Sequence, residues 1–254
     1  MTLSVCYITL NEEANLPRTL ESVRWADEII IVDNGSTDRT LEIARSFGAK
    51  VFTEPWKGYA GQRNSAHDKA TSDWILSLGA DEEVSPELAG ELRSFLKSAP
   101  QDGNLGYEVP RKNIIFGRWL RWGGNWPDYG LRLFRRGQGR VMDRAVHETV
   151  HVDGPVGRLR GALIHHAYPT IASFTAHMER YSTLSAEVIV RERKQTWFWF
   201  DVWLRPVIAF KWDYFFRLGF LDGREGFLFH LYHALYVSWK YAKAWELTRN
   251  SRNS

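Results

Sequence analysis

The sequence predicts an α/β chain: a mostly parallel sheet flanked by helices, with an aromatic helical extension at the C-terminus. Three observations carry that prediction. Short β-rich runs alternate with helix-period segments through the first hundred residues, an order that implies parallel strands joined by right-handed crossovers. One run, EIIIVD (28–33), is apolar enough to be buried on both faces of a sheet. The composition then shifts near residue 190, beyond which eleven Lys or Arg face six acids and half of the 12 Trp are found.

The elements follow in order. LSVCYI (3–8) reads as the first strand. ANLPRTLESVRWA has helical spacing at Leu16, Leu20 and Val23, and EIIIVD is the second strand. GSTDRTLEIARSFGA has a polar start, apolar Leu41, Ile43, Ala44 and Phe47, and Gly48 as its stop. KVFTE (50–54) is a third strand, GYAGQRNSAHDKA a helix and WILSL (74–78) a fourth strand. Ser85 caps a helix with Pro86 at its first position, where a missing N–H costs nothing. Ligands of such sheets gather beyond the C-terminal ends of the strands. Three polar clusters fall there: Thr9 to Glu13, Asp33 to Ser36, and Ala80 to Glu83.

Composition narrows the class. At 254 residues the chain holds one large domain, or one with an attachment. A net charge of +3 is too small a footprint for a nucleic-acid partner, and none is expected. Cys6 is the single cysteine and lies in an apolar run, so a buried thiol and a reducing compartment are expected. The N-terminus has no basic segment before an apolar one, so no signal peptide is expected; no 18-residue stretch lacks charge, so neither is a transmembrane helix. The first turn after a strand, TLNEEAN, has no glycine, which excludes a dinucleotide fingerprint. GxxxxGK[ST] is absent, which excludes a P-loop. The turns are acidic instead, so a diphosphate bound there needs a cation between it and the carboxylates.

The ordered set YITLNEEANL, SVRWADEIIIVDNGSTDRT, GQRNSA and DWILSLGADEEVSPEL resembles the inverting family-2 glycosyltransferases of the Rossmann-like GT-A fold, strongly over about residues 3–100. YGLRLFRRGQGRVMDRAVHETVHVDGPVGRL and GFLDGREGF resemble the bacterial branch that includes lipopolysaccharide-core β-1,4-glucosyltransferases. The resemblance implies a catalytic domain over 1–190, with a nucleotide-sugar half to about 100 and an acceptor half after it, and an extension over 191–254. It implies that Thr9, Leu10 and Glu12 line the nucleoside pocket, that Asp33 and Asn34 face base and ribose, and that Arg63 reaches the nucleotide. Ala80 and Asp81 complete the nucleotide-sugar site. Asp81 is the last acid of an Asp-any-Asp motif and the expected ligand of a divalent metal, Mg²⁺ or Mn²⁺. The first acid of that motif is replaced by Gly79. Mg²⁺ in such sites takes one or two protein carboxylates and fills its octahedron with phosphate and water. A weakened or rearranged site is therefore expected, with Glu82 able to substitute only by bending back.

Inverting transfer also needs a carboxylate base. Glu148, in DRAVHE, occupies the place of the family's catalytic acid; a salt bridge to Arg132 or Arg144 is its structural alternative. Asp128, in NWPDYG, is the rival base, beside a possible sugar-stacking wall of Trp122, Trp126 and Tyr129. His147 is a supporting candidate, and His165 and His166 are placed near the diphosphate or in structural roles. The donor implied is a UDP-hexose, glucose or a close relative, and the acceptor a glycolipid or oligosaccharide of the cell envelope. A nucleotidyltransferase and a degenerate nucleotide-sugar binder remain as alternatives.

The tail divides in two. TWFWFDVWLRPVIAFKWDYFF is rich in aromatics but carries five charges, and Pro206 is expected to break its helix. In 225–247 the residues Glu225, His233, Lys240, Lys243 and Glu246 share one arc of a helical wheel, with His230 as the exception and mostly apolar residues elsewhere. Such a helix lies on an anionic membrane surface or packs on protein. The first reading makes the protein cytoplasmic and peripheral on the inner face of the membrane.

Overall fold

A computed structural model describes residues 1–98, 102–142, 149–192 and 197–253. The chain separates into two compact units, Met1–Arg111 with Asp128–His165, and Lys112–Pro127 with His166–Ser254.

The first unit opens with β1 (Leu3–Thr9), α1 (Leu16–Ser22), β2 (Glu28–Asp33), α2 (Thr40–Ser46), β3 (Lys50–Thr53), α3 (Gly58–Asp68) and β4 (Trp74–Ser77). Each was legible as a strand or helix. The helices are shorter than their apolar patterns because side chains hold the flanking residues in turns. The GSTD segment, for example, is gathered by Asp33, with Gly35 at φ +92°, before α2 starts. After these come β5 (Glu82–Val84), α4 (Pro86–Ser98) and β6 (Gly106–Ile115). The Ser85 hydroxyl accepts the Leu88 N–H at 3.2 Å, which caps α4 as its sequence requires.

The strand order β3-β2-β1-β4 is parallel throughout. The chain steps outward from β1 to β3 and then returns to β4 on the other side of β1. That reversal opens a crevice at the C-terminal ends of β1 and β4, the favoured ligand position of an open α/β sheet. Beyond β4 the sheet is mixed. Following β7 (Arg118–Trp119), strand β8 (Asp128–Arg135) pairs antiparallel with both β4 and β6. After β9 (Gly139–Val141), β10 (Val150–Val152) and β11 (Val156–Arg158), strand β12 (Leu163–Tyr168) pairs antiparallel with β5. His165 thereby lies in register with Glu82.

Alternate residues of each central strand feed two cores. Leu3, Val5 and Tyr7 with Ile29 and Ile31 join one face, packed with Leu16, Leu20, Leu88 and Leu92. Cys6, Ile30 and Val32 join the other, with Ala66 of α3. EIIIVD is buried at all six positions, as a strand covered on both faces must be. Cys6 is buried and free, and burial pushes its thiol far up, so it is an inert packing residue.

In the second unit α5 (Ile171–Arg191) is capped by Thr170 and Ser173 and packs on α7 (Gly223–Asn253) through Ala186, Ile189 and Ala244. Between them, residues 198–216 are continuously helical: a π-helical segment Trp199–Leu204, α6 (Arg205–Lys211), and a second π-helical segment Trp212–Phe216. Pro206 therefore does not break the helix as expected. It sits in the first turn of α6, and the wider π turn before it relieves the clash with the preceding carbonyls. Among the described residues no helix is long and apolar enough to cross a membrane.

Candidate functional site

Three turns meet at the crevice. The first follows β1. Thr9 is buried and its hydroxyl donates to Asp33 Oδ2 at 2.8 Å. Leu10 is half exposed, and Asn11 adopts a left-handed conformation at φ 55°. That turn is stitched to the next: the Asn11 N–H donates to Ser36 Oγ, and the Glu12 N–H to Thr40 Oγ1, both at 2.8 Å.

The second turn follows β2. Asp33 is fully buried. Its Oδ1 accepts the N–H groups of Gly35 and Ser36, each at 2.8 Å, while Oδ2 accepts the Ser36 and Thr9 hydroxyls. Four donors saturate the carboxylate. Asp33 thus shapes the turn, and Asn34 beside it is the more accessible residue.

The third turn follows β4. Ala80 is buried and its carbonyl accepts the Thr19 hydroxyl at 2.9 Å, which pins the turn to α1. Asp81 keeps 33% of its side chain exposed, with His165 Nε2 3.2 Å from Oδ2. Glu12 lies close enough for its charge to be felt. Burial raises the Glu12 carboxyl above its usual range; the Asn15 amide opposes this, and Asp81 and Asp38 push further up. A Cβ at Gly79 would stand 2.6 Å from Asp81 Oδ1, so the Asp81 carboxylate occupies the space of the missing side chain.

Glu82 does not substitute for that acid. It is 2% exposed, and its Oε2 accepts the Gly79 N–H at 2.7 Å. Its Oε1 accepts from Arg132 Nη2 at 2.6 Å and lies 3.4 Å from Arg111 Nη1. Burial alone would raise the Glu82 carboxyl. Arg132, then His165, Arg111 and the Gly79 N–H, outweigh burial and hold it at about 2. Arg111 continues the chain to Asp128, with Nη2 2.6 Å from Oδ2. This Glu82–Arg132–Arg111–Asp128 network escaped the sequence reading. Little in the sequence signals it: Arg132 alternates with Leu131 and Leu133 as a residue on the polar face of an ordinary strand would. Arg63, on α3, reaches Ser77 Oγ at 3.5 Å, at the end of β4.

The crevice therefore joins Thr9, Leu10, Glu12, Asp33, Asn34, Ala80 and Asp81 on three adjoining strand ends, with Arg63 beside the third. Arg132 pairs with Glu82. Glu148, with Arg144 and His147, lies outside the described residues. Of the expected aromatic wall, Trp126 meets Trp119 edge to face at 5.5 Å and Arg121 lies 5.6 Å from the Trp122 ring. Tyr129, in the first unit, lies 4.6 Å beneath Arg158. Among the described residues no group of three His, Cys, Asp or Glu is placed to hold a metal.

Comparison with known proteins identifies the family. The family model "Glycosyl transferase family 2" matches residues 4–158. The lipopolysaccharide core biosynthesis glycosyltransferase LpsC of Rhizobium meliloti is 32% identical over 97% of this chain and 93% of its own length. An uncharacterized glycosyltransferase of Rickettsia typhi is 32% identical over 99% of this chain and 89% of its own. Among solved structures, S. aureus TarS 1-349 in complex with UDP-GlcNAc superposes with a TM-score of 0.50 at 15% identity, covering 92% of this chain and 80% of that one. That likeness shows a shared GT-A fold. The chain is a glycosyltransferase and belongs to glycosyl transferase family 2.

Proposed function

We propose that this protein transfers a hexose, glucose or a close relative, from a UDP-sugar to a saccharide or glycolipid acceptor with inversion, in the synthesis of lipopolysaccharide core or a related envelope glycan. The observation that carries this reading is the convergence of Asp81, Glu12 and the Asp33-shaped turn at the reversal point between β1 and β4. The similarity to LpsC over nearly the full chain supports the envelope acceptor.

In this reading Thr9, Leu10, Glu12 and Asn34 receive the nucleoside, Asp33 acting through the turn it holds, and Ala80 and Arg63 complete the donor site. Asp81 is the metal ligand. One partly exposed carboxylate beside one imidazole matches a cation that arrives with a diphosphate, not one held by protein alone. When bound, Mg²⁺ or Mn²⁺ would neutralise charge on the departing UDP. Gly79 leaves the site short of one acid, and Glu82, locked to Arg132, cannot swing in to replace it.

Glu148 is the proposed base. It removes the proton of the acceptor hydroxyl as that oxygen attacks the anomeric carbon and the bond to UDP breaks. Asp128 is the weaker choice because proton transfer to it competes with its ion pair to Arg111. Turnover on a panel of labelled UDP-sugars tests the class. Glu148→Gln should lower kcat by about 10²-fold or more with donor affinity nearly unchanged; near-normal turnover would move the role to Asp128. Residues 191–254 are proposed to hold the enzyme on the anionic, cytoplasmic face of the membrane. Removing them should abolish flotation with anionic liposomes.

A further inference from the structure

The second unit exposes an apolar surface that its own fold leaves uncovered. Between Trp197 and Leu221, fourteen large apolar side chains are more than a third exposed; Trp199, Trp203 and Phe216 reach 79%, 67% and 73%. The surface continues onto α7 at Phe227, Leu231 and Leu235, one turn apart. An open cavity of about 570 Å³ lies within it, lined by Tyr214, Phe220, Phe227 and Leu228 with Arg224. Patches of this extent on a soluble domain mark an interaction surface.

Part of the polar arc of α7 meets α5, as the packing reading of this helix expects. Lys243 Nζ is held against α5 by the Glu179 carboxylate at 3.0 Å and the Thr183 hydroxyl at 2.7 Å, and the Tyr236 hydroxyl meets Ser185 at 3.0 Å. The acids of the aromatic segment are drawn inward as well. Asp201 is 3% exposed, accepting from the Trp197 N–H and from Arg205. Asp222 is buried and accepts the N–H groups of Arg121 and Trp122. Asp213 is engaged with Arg217. Lys211 and Arg224 remain exposed without an ion pair among the described residues.

We propose that this face inserts into one leaflet of an anionic bilayer, with segment 197–221 lying in the membrane plane at the boundary between headgroups and acyl chains. Aromatic and aliphatic side chains enter the apolar layer, and Lys211 and Arg224 meet lipid phosphates. A second copy of the chain is a poorer occupant. An isologous contact through this face would bring its cations to an interface whose acids are already engaged inside each copy. The inference rests on the membrane role proposed for 191–254 and deepens it: contact is made by apolar insertion, not by charge alone.

The test uses the full-length protein and vesicles of phosphatidylcholine with phosphatidylglycerol. Insertion predicts a blue shift of tryptophan emission, quenching by lipids brominated on the acyl chains, and binding that falls only a few-fold at about 0.5 M salt. The double variant Trp199→Glu, Trp203→Glu should lower the partition coefficient by about tenfold or more. Its melting temperature and UDP affinity should be unchanged, because both side chains are solvent-exposed. Lys211→Glu with Arg224→Glu should reduce the preference for phosphatidylglycerol. Binding that vanishes in salt with unshifted emission would overturn insertion while leaving membrane association standing. A folded protein that binds no vesicle would overturn both. A concentration-dependent dimer in sedimentation, abolished by the tryptophan variant, would assign the face to a second copy and overturn the proposal.

Discussion

Asp33 and Asp81 sit at the C-terminal ends of β2 and β4, the parallel strands on either side of β1, yet the fold treats them differently. Asp33 is fully buried and accepts hydrogen bonds from four donors of its own chain. Asp81 is partly exposed, with His165 at 3.2 Å and no side chain at position 79 to crowd it. One carboxylate is consumed in making a turn; the other keeps acceptor capacity open, which suits the ligand role proposed for it. Glu28 and Glu82 belong with Asp33, each buried and held by cations and N–H groups. Glu12 belongs with Asp81. The difference teaches that acids of similar sequence context divide by how many internal donors reach them, and the under-supplied ones are those proposed to meet the ligand.

Breaking the two aspartates separately is the sharpest test of that division. Asp33→Ala should destabilise the protein by about 3–5 kcal/mol, since it strands several buried donors at once; a lower denaturation midpoint would show it. Asp81→Asn should leave the midpoint nearly unchanged and weaken metal-dependent UDP binding by about 5- to 150-fold, one charged contact at about 1–3 kcal/mol. Glu28 supplies a graded test by pH. Burial would raise its carboxyl, but Lys50, Ser4 and Thr71 together hold it at about 2. A depressed folded-state pKa means stability that is full above the ordinary value near 4.5 and lost as pH falls toward 2. Glu28→Gln should therefore flatten the acid limb of the stability curve over that window. The smallest effect is expected for Gly79→Asp. A second acid adds a metal contact, but its Cβ must first displace Asp81 Oδ1, so binding with Mn²⁺ and UDP should tighten by only about fivefold, while repulsion lowers the stability of the metal-free protein.

Much of this arrangement was legible in the chain. EIIIVD announced a strand buried on both faces, and the βα alternation placed the three acidic turns at one edge of the sheet. What the sequence hid was partner choice between distant residues. Nothing local tells that Glu82 turns inward to Arg132, fifty positions away, while Asp81 turns outward. The antiparallel second half of the sheet was hidden for the same reason, because it depends on long-range pairings such as β12 with β5. The wheel of α7 showed a polar arc but could not say that α5 supplies its partners.

The central claim is that Asp81 is the carboxylate this fold leaves for a donor-bound cation. Calorimetric titration of UDP in Mn²⁺ and in EDTA, for the native protein and Asp81→Asn, addresses it directly. The account predicts that native affinity falls by about fivefold or more in EDTA, and that the variant binds equally weakly in both. Native affinity that is the same with and without metal, and unchanged in the variant, would contradict it.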